Sequence, residues 1–188
     1  MTPELLAFDF ASYDATYNAA ALRAVSDWTR GLICAREGHL AIPPWIFLYG
    51  LTGTGKTRLL AAAFNALMSN GCYPLYTLVP SLLDYVRQGL DVPRGGEYAA
   101  RFRAVQRAPI LILDDLGAEA RTAWGEETLF KLLDHRYREA LPTAVASNPL
   151  PKDLEPRIAS RLQDRVFSTA LLMAGPDYRL SGGRKAAR

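Results

Sequence analysis

The chain has 188 residues, with 22 Lys+Arg against 19 Asp+Glu, and 49% of its residues are hydrophobic. This length suits one compact domain with its own core, and the composition excludes a wholly disordered protein. The net charge of +3 is too small to indicate a binding partner. No apolar run approaches the roughly 20 residues that cross a bilayer, and the acidic, base-free first ten residues are unlike a signal peptide. We therefore expect no membrane segment and a cytoplasmic location.

Helical and strand patterns alternate along the chain. Apolar spacing predicts a first helix over about 18–30 with Asn18 as its N-cap, and the unbroken apolar run 45–49 predicts a strand buried on both faces. Further helices are predicted at 56–69, from Ser81 to Gly89, and at 97–107, 124–140 and 153–163, and further strands at 73–79, 110–113, 143–147 and 166–173. In helix 124–140, Arg136 and Arg138 lie in the last turn, where they favour the helix dipole. The pattern predicts an α/β fold with a five-stranded parallel sheet.

The predicted sheet carries a phosphate-binding motif after its first strand. The stretch GLTGTGKT over 50–57 matches G-x-x-x-x-G-K-[ST] and lies directly between a strand and a helix. Its backbone N–H groups are expected to cradle a pyrophosphate, with Lys56 on the β- and γ-phosphates and the Thr57 hydroxyl on Mg²⁺. The predicted nucleotide contacts are Gly50, Leu51, Thr52, Gly53, Thr54, Gly55, Lys56, Thr57 and Arg58.

Two carboxylates follow the third predicted strand, at the sheet edge where ligands of such folds bind. Asp114 is the candidate for the Mg²⁺ shell, and Asp115 is the candidate that polarises the attacking water. Neighbouring strand residues point to opposite faces, so the two acids are expected to take different roles. Asn148 follows the fourth strand and is a candidate to hold that water or to contact the γ-phosphate.

Five segments in this order resemble the AAA+ ATPases of the DnaC/DnaI helicase-loader family and its relative, the transposition ATPase IstB. The matching stretches are LYGLTGTGKTRL (48–59), ILILDDLGAE (110–119), WGEETLFKLLDHRY (124–137), PTAVASN (142–148) and RIASRL (157–162). The resemblance implies an AAA+ P-loop NTPase, a three-layer sandwich. The sequence departs from that family after the fifth predicted strand, where little of it follows, so we expect the usual helical lid to be absent or vestigial. It also implies three regions: an N-terminal segment (1–44), the ATPase core (45–178) and a basic tail (179–188).

The same resemblance implies functional residues outside the P-loop. Arg161 is expected to be an arginine finger that reaches ATP on a neighbouring subunit, with Arg157 as the alternate, and Arg179 is a candidate second nucleotide sensor. The segment between the second and third strands lies where related proteins carry a helix near DNA. Its candidate DNA-binding residues are Arg87, Arg94, Arg101, Arg103 and Arg107. The same segment contains Tyr85, Tyr98 and Phe102, which either stack on bases or belong to the core.

The resemblance therefore implies an ATPase of DNA replication that uses ATP and Mg²⁺, self-associates through its ATP site, and handles single-stranded DNA and a replicative helicase. Three alternatives stay open from sequence. One is an IstB-like ATPase that assists a transposase on duplex DNA. Another is a P-loop kinase acting on a small molecule as a monomer. The last is a nucleotide-gated adaptor with little turnover, because Asp115 stands where most AAA+ proteins have Glu.

Overall fold

A five-stranded, all-parallel sheet forms the centre of the computed structural model, which describes residues 7–35, 44–90, 96–119, 122–178 and 180. The strands are β1 (Trp45–Tyr49), β2 (Leu75–Leu78), β3 (Leu111–Leu116), β4 (Thr143–Ser147) and β5 (Ser168–Leu172). Their spatial order is β2-β3-β4-β1-β5, so β1 lies between β4 and β5. The predicted α/β fold with a five-stranded parallel sheet is confirmed.

Six α-helices cover the two faces of this sheet in the described part of the chain. They are α1 (Ala19–Ala35), α2 (Lys56–Ser69), α3 (Val79–Arg87), α4 (Glu97–Gln106), α5 (Ala123–Arg138) and α6 (Pro156–Leu162). Short 3₁₀ turns at Gln88–Leu90 and Pro151–Asp153 complete the regular structure. None of these helices is long and apolar enough to cross a membrane.

Successive residues of the central strands enter two separate cores. Ile46 and Leu48 pack against α1 and α2, whereas Trp45 and Phe47 pack with side chains of α3 to α6. All four side chains are nearly fully buried, as expected for a strand covered on both faces. The unbroken apolar run therefore produces a three-layer sandwich, in which alternate residues of one strand stabilise opposite layers.

Several predicted boundaries differ from the structure. The α3 helix begins at Val79 rather than Ser81, because Pro80 is well suited to the first turn of a helix. Ser81 therefore lies inside the helix, and no side-chain hydrogen bond caps the residue before Val79. The α6 helix begins at Pro156 rather than 153, because residues 151–153 form the 3₁₀ turn and Glu155 accepts a hydrogen bond from the Ile158 N–H as N-cap. Strands β2 and β5 are shorter than predicted, and β3 extends through the acidic pair to Leu116.

Arg136 is an internal anchor rather than a residue that only favours the helix dipole. Its side chain is 0% exposed, and its guanidinium donates hydrogen bonds to Thr143 Oγ1 and to the carbonyls of Gln106, Ala108 and Pro142. Burial lowers the pKa of Arg136 to about 10. These acceptors lie just before β3 and at the start of β4, so Arg136 fixes the entry of the two strands that carry the acidic pair and Asn148.

Candidate nucleotide site

The P-loop crosses from β1 to α2 in the conformation that the motif predicts. Gly53 and Gly55 have φ of 73° and 95°, in the left-handed region, and Gly55 immediately precedes α2. A Cβ at Gly55 would lie 2.8 Å from the Tyr13 hydroxyl oxygen. Gly55 is therefore required both by its backbone conformation and by the side chain packed against it.

Lys56 is held inside the P-loop. Its side chain is buried, and its Nζ donates hydrogen bonds to the carbonyls of Gly50 and Leu51 at 2.6 and 2.7 Å. The ammonium group therefore lies within the curve of the loop, next to the start of α2, whose N-terminus favours negative charge. Leu51 and Thr52 are exposed on the outside of the loop. The guanidinium carbon of Arg58, a predicted nucleotide contact, lies over the Phe8 ring, 4.5 Å from its centroid.

Asp114 lies beside the P-loop, as the sequence predicts. Its side chain is 1% exposed, its Oδ2 accepts a 2.7 Å hydrogen bond from the Tyr76 hydroxyl, and Thr57 lies next to its carboxylate. Burial raises the pKa of Asp114 above its ordinary value, and the side chains of Tyr76 and Thr57 act in the opposite direction. A hydroxyl and a carboxylate brought together in this way form an oxygen donor set that fits Mg²⁺.

Asp115 has a left-handed backbone conformation that simple strand alternation does not predict. Its φ is 57°, and the pairing of β3 with β4 shifts register between Leu113 and Leu116. This irregularity, rather than simple strand alternation, separates the directions of the two acids. Asn148 Nδ2 lies 3.3 Å from Asp115 Oδ1 and donates to it. The structure therefore brings Asp115 and Asn148 together.

Residues before α1 and after β5 also contact the P-loop. Asn18 is buried, and its amide donates to the carbonyls of Thr54 and Ala174 while its Oδ1 accepts from the Ala174 N–H. Asn18 was predicted as an N-cap, but its side chain makes these long-range bonds. The Tyr178 N–H donates to the Gly53 carbonyl. From sequence alone, an asparagine just before a helix that caps the helix looks the same as one that bonds to distant parts of the chain.

Arg161 packs against the side of α5. Its guanidinium forms an ion pair with Asp134 of α5, donates to the Arg157 carbonyl, and stacks over the Phe130 ring. Its side chain is 21% exposed. Arg157 is more exposed, at 50%, and ion-pairs with Glu127 and Glu155. The two finger candidates therefore lie together on the α5–α6 surface.

The candidate DNA-binding arginines are engaged to different degrees. Arg87 stacks on Trp124, with 4.6 Å between its guanidinium carbon and the ring centroid. Arg101 stacks on Tyr85, ion-pairs with Glu97 and donates to the Tyr85 carbonyl. Arg103 and Arg107 are exposed on α4 and at its C-terminal end. Arg94, Arg179 and residues 181–188 of the basic tail lie outside the described residues.

The aromatic residues of this segment separate into two groups. Tyr98 and Phe102 are partly buried against the core formed by α3 to α6, so these two are core residues. Tyr85 is 46% exposed and carries Arg101 on its ring. The surface of this segment therefore combines exposed arginines with one accessible aromatic ring.

Comparison with known proteins gives the family. The model of the IstB-like ATP binding proteins matches residues 40–174. The replicative helicase loader DnaI of Bacillus subtilis (strain 168) is 32% identical over 150 residues, which are 73% of this chain and 46% of that protein. The chain therefore spans about half the length of this relative.

Two solved structures share the fold. A crystal structure of DnaI has a TM-score of 0.71 and 24% identity and is matched over 94% of this chain and 93% of that one. A structure of the replication initiator DnaA bound to AMPPCP and single-stranded DNA has a TM-score of 0.76 and 20% identity, over 93% and 51% of the two chains. These matches confirm the AAA+ P-loop fold. With the family model covering most of the chain, the protein belongs to the family of IstB-like ATP-binding proteins.

Proposed function

We propose that this protein is an Mg²⁺-dependent ATPase of DNA replication, a DnaC-like helicase loader that couples its ATP state to single-stranded DNA and a replicative helicase. The observation that carries the proposal is the proximity of five predicted residues at the C-terminal ends of the strands. Lys56 lies in the P-loop, Thr57 lies next to Asp114, and Asn148 donates to Asp115. The DnaI relative supports the loader assignment.

Each group has a chemical role in hydrolysis. The N–H groups of the P-loop and Lys56 bind the phosphates, with Lys56 exchanging its loop carbonyls for phosphate oxygens. Asp115 accepts a hydrogen bond from the attacking water and receives its proton, while Asn148 holds the Asp115 carboxylate in place. Bound Mg²⁺, for which Thr57 and Asp114 are suitable donors, supplies charge neutralisation at the phosphates.

We further propose that the active site is completed by a second copy of the chain. Arg161 neutralises charge on the phosphates of the neighbouring subunit, with Arg157 as the alternate. The partly exposed position of both arginines on the α5–α6 surface supports this role, because they contact no P-loop residue of their own subunit within the described ranges.

The ATPase rate per molecule, measured against protein concentration, tests this mechanism. Lys56→Ala is the blank, and Arg161→Ala is compared with Arg138→Ala, whose arginine ion-pairs with the same Asp134 but is 72% exposed. We expect the rate to rise with concentration, and Arg161→Ala alone to lose that rise while still binding nucleotide. A rate independent of concentration would contradict the shared site and favour a monomeric kinase. A rate equal to the blank would favour an adaptor.

Single-stranded and duplex oligonucleotides separate the loader from the second candidate, an IstB-like ATPase that assists a transposase. The IstB-like family model favours that candidate as strongly as the loader. We expect tighter, salt-sensitive binding to the single strand, weakened by charge removal at Arg103 and Arg107. Preference for the duplex would favour the transposition ATPase.

A further inference from the structure

Tyr76 belongs neither to the P-loop nor to the acidic pair, yet its side chain contacts residues next to both. It lies on the edge strand β2, which pairs with β3 and leads directly into α3. Its ring packs edge-to-face on Phe64 of α2, with 5.9 Å between centroids and 80° between planes. Its hydroxyl donates to Asp114 Oδ2 at 2.7 Å. Tyr76 therefore connects β2, the P-loop helix α2 and the acidic end of β3.

The hydrogen bonds of Asp114 show what this contact does. Oδ2 accepts from Tyr76, and Oδ1 accepts from the Asp115 N–H at 2.9 Å. Because each carboxylate oxygen accepts one hydrogen bond, rotation of the carboxylate about the Cβ–Cγ bond is restricted. Thr57 of the P-loop lies next to this carboxylate. The orientation of Asp114 beside Thr57 is therefore set by the Tyr76 hydroxyl together with the Asp115 N–H.

We propose that Tyr76 is a positioning residue for the cation site, holding the Asp114 carboxylate in the orientation that binds nucleotide-associated Mg²⁺. This inference rests on the proposed function, since it assigns Tyr76 a part in the same site. Groups that hydrogen-bond to metal-ligating carboxylates are typically worth about 10–100-fold in metal affinity. Tyr76 is well placed for such an effect, because contact with Phe64 fixes its ring.

The test is a Mg²⁺ titration of nucleotide binding, followed with a fluorescent ATP analogue rather than by turnover. Tyr76→Phe keeps the ring and removes only the hydroxyl. We expect it to raise the half-saturating Mg²⁺ concentration about tenfold or more and to leave nucleotide affinity in EDTA unchanged. Tyr73→Phe is the matched control, because Tyr73 is 74% exposed and should leave the titration unchanged.

A double-mutant cycle tests whether Tyr76 acts through Asp114. In an Asp114→Asn background, Tyr76→Phe should cause no further loss of Mg²⁺ affinity, since the group it positions is gone. A full additional loss in that background overturns the proposal, as does equal weakening of nucleotide binding with Mg²⁺ and in EDTA. Wild-type protein that binds nucleotide without any response to Mg²⁺ overturns the proposed function itself. A normal wild-type response that Tyr76→Phe leaves unchanged overturns only the role of Tyr76.

Discussion

Replacement of Arg136 by methionine tests how the structure fixes the strands of the site. Methionine fills a similar volume but donates no hydrogen bonds, so four oxygens lose the bond from Arg136, and of these the Pro142 carbonyl keeps a second donor in the Leu111 N–H. A buried acceptor without a partner costs about 1–3 kcal/mol, and those that are only partly buried regain water at a lower cost. The bonds to Thr143 Oγ1 and the Ala108 carbonyl are buried, and the other two are partly buried.

We therefore expect Arg136→Met to lower the free energy of unfolding by about 3 kcal/mol, relief of the buried charge offsetting part of the cost. This is a large fraction of the roughly 5–15 kcal/mol that stabilises a typical domain. Urea denaturation followed by tryptophan fluorescence measures it, with Arg138→Met as the control. Arg138 is 72% exposed in its ion pair with Asp134, so its loss should be below about 1 kcal/mol. Equal losses in the two variants would refute this account of Arg136.

Two further predictions concern a glycine of the P-loop and the stability of the protein at low pH. Gly53→Ala should weaken nucleotide binding and cost about 1–2 kcal/mol of stability, since φ there is 73° and its Cβ would lie 1.9 Å from Asp177 Oδ1. Gly71→Ala, at a φ of 71°, carries the same backbone strain away from the site, so unaltered nucleotide affinity in both variants would contradict the role of Gly53. The hydrogen bond from the Tyr137 hydroxyl lowers the pKa of Asp164 below 3.8, so ionised Asp164 contributes stability above that pH and loses it as the pH falls further. Tyr137→Phe should therefore destabilise the protein at neutral pH, and the loss should shrink as the pH falls below 3.8. A pH-independent loss in urea denaturation would count against this linkage.

The features whose placement follows from the sequence are those that depend on local pattern. The P-loop is set by its own glycines and by the strand before it, and the position of Asp114 follows from a buried strand ending at the ligand-binding edge. The interactions missed are long-range. Asn18 bonds to Thr54 and Ala174, 36 and 156 residues away, and no spacing rule encodes such pairs. Burial of Arg136 depends likewise on where α5 packs relative to the starts of two strands.

The left-handed backbone of Asp115 sets stability against the proposed chemistry at one position. Holding a residue with a Cβ at a φ of 57° costs roughly 1–2 kcal/mol of strain that glycine would avoid. Replacing Asp115 by glycine is therefore expected to relieve the backbone and, in the same step, to remove the carboxylate that we propose receives the proton of water. A more stable protein and a slower ATPase are thus expected from one and the same change.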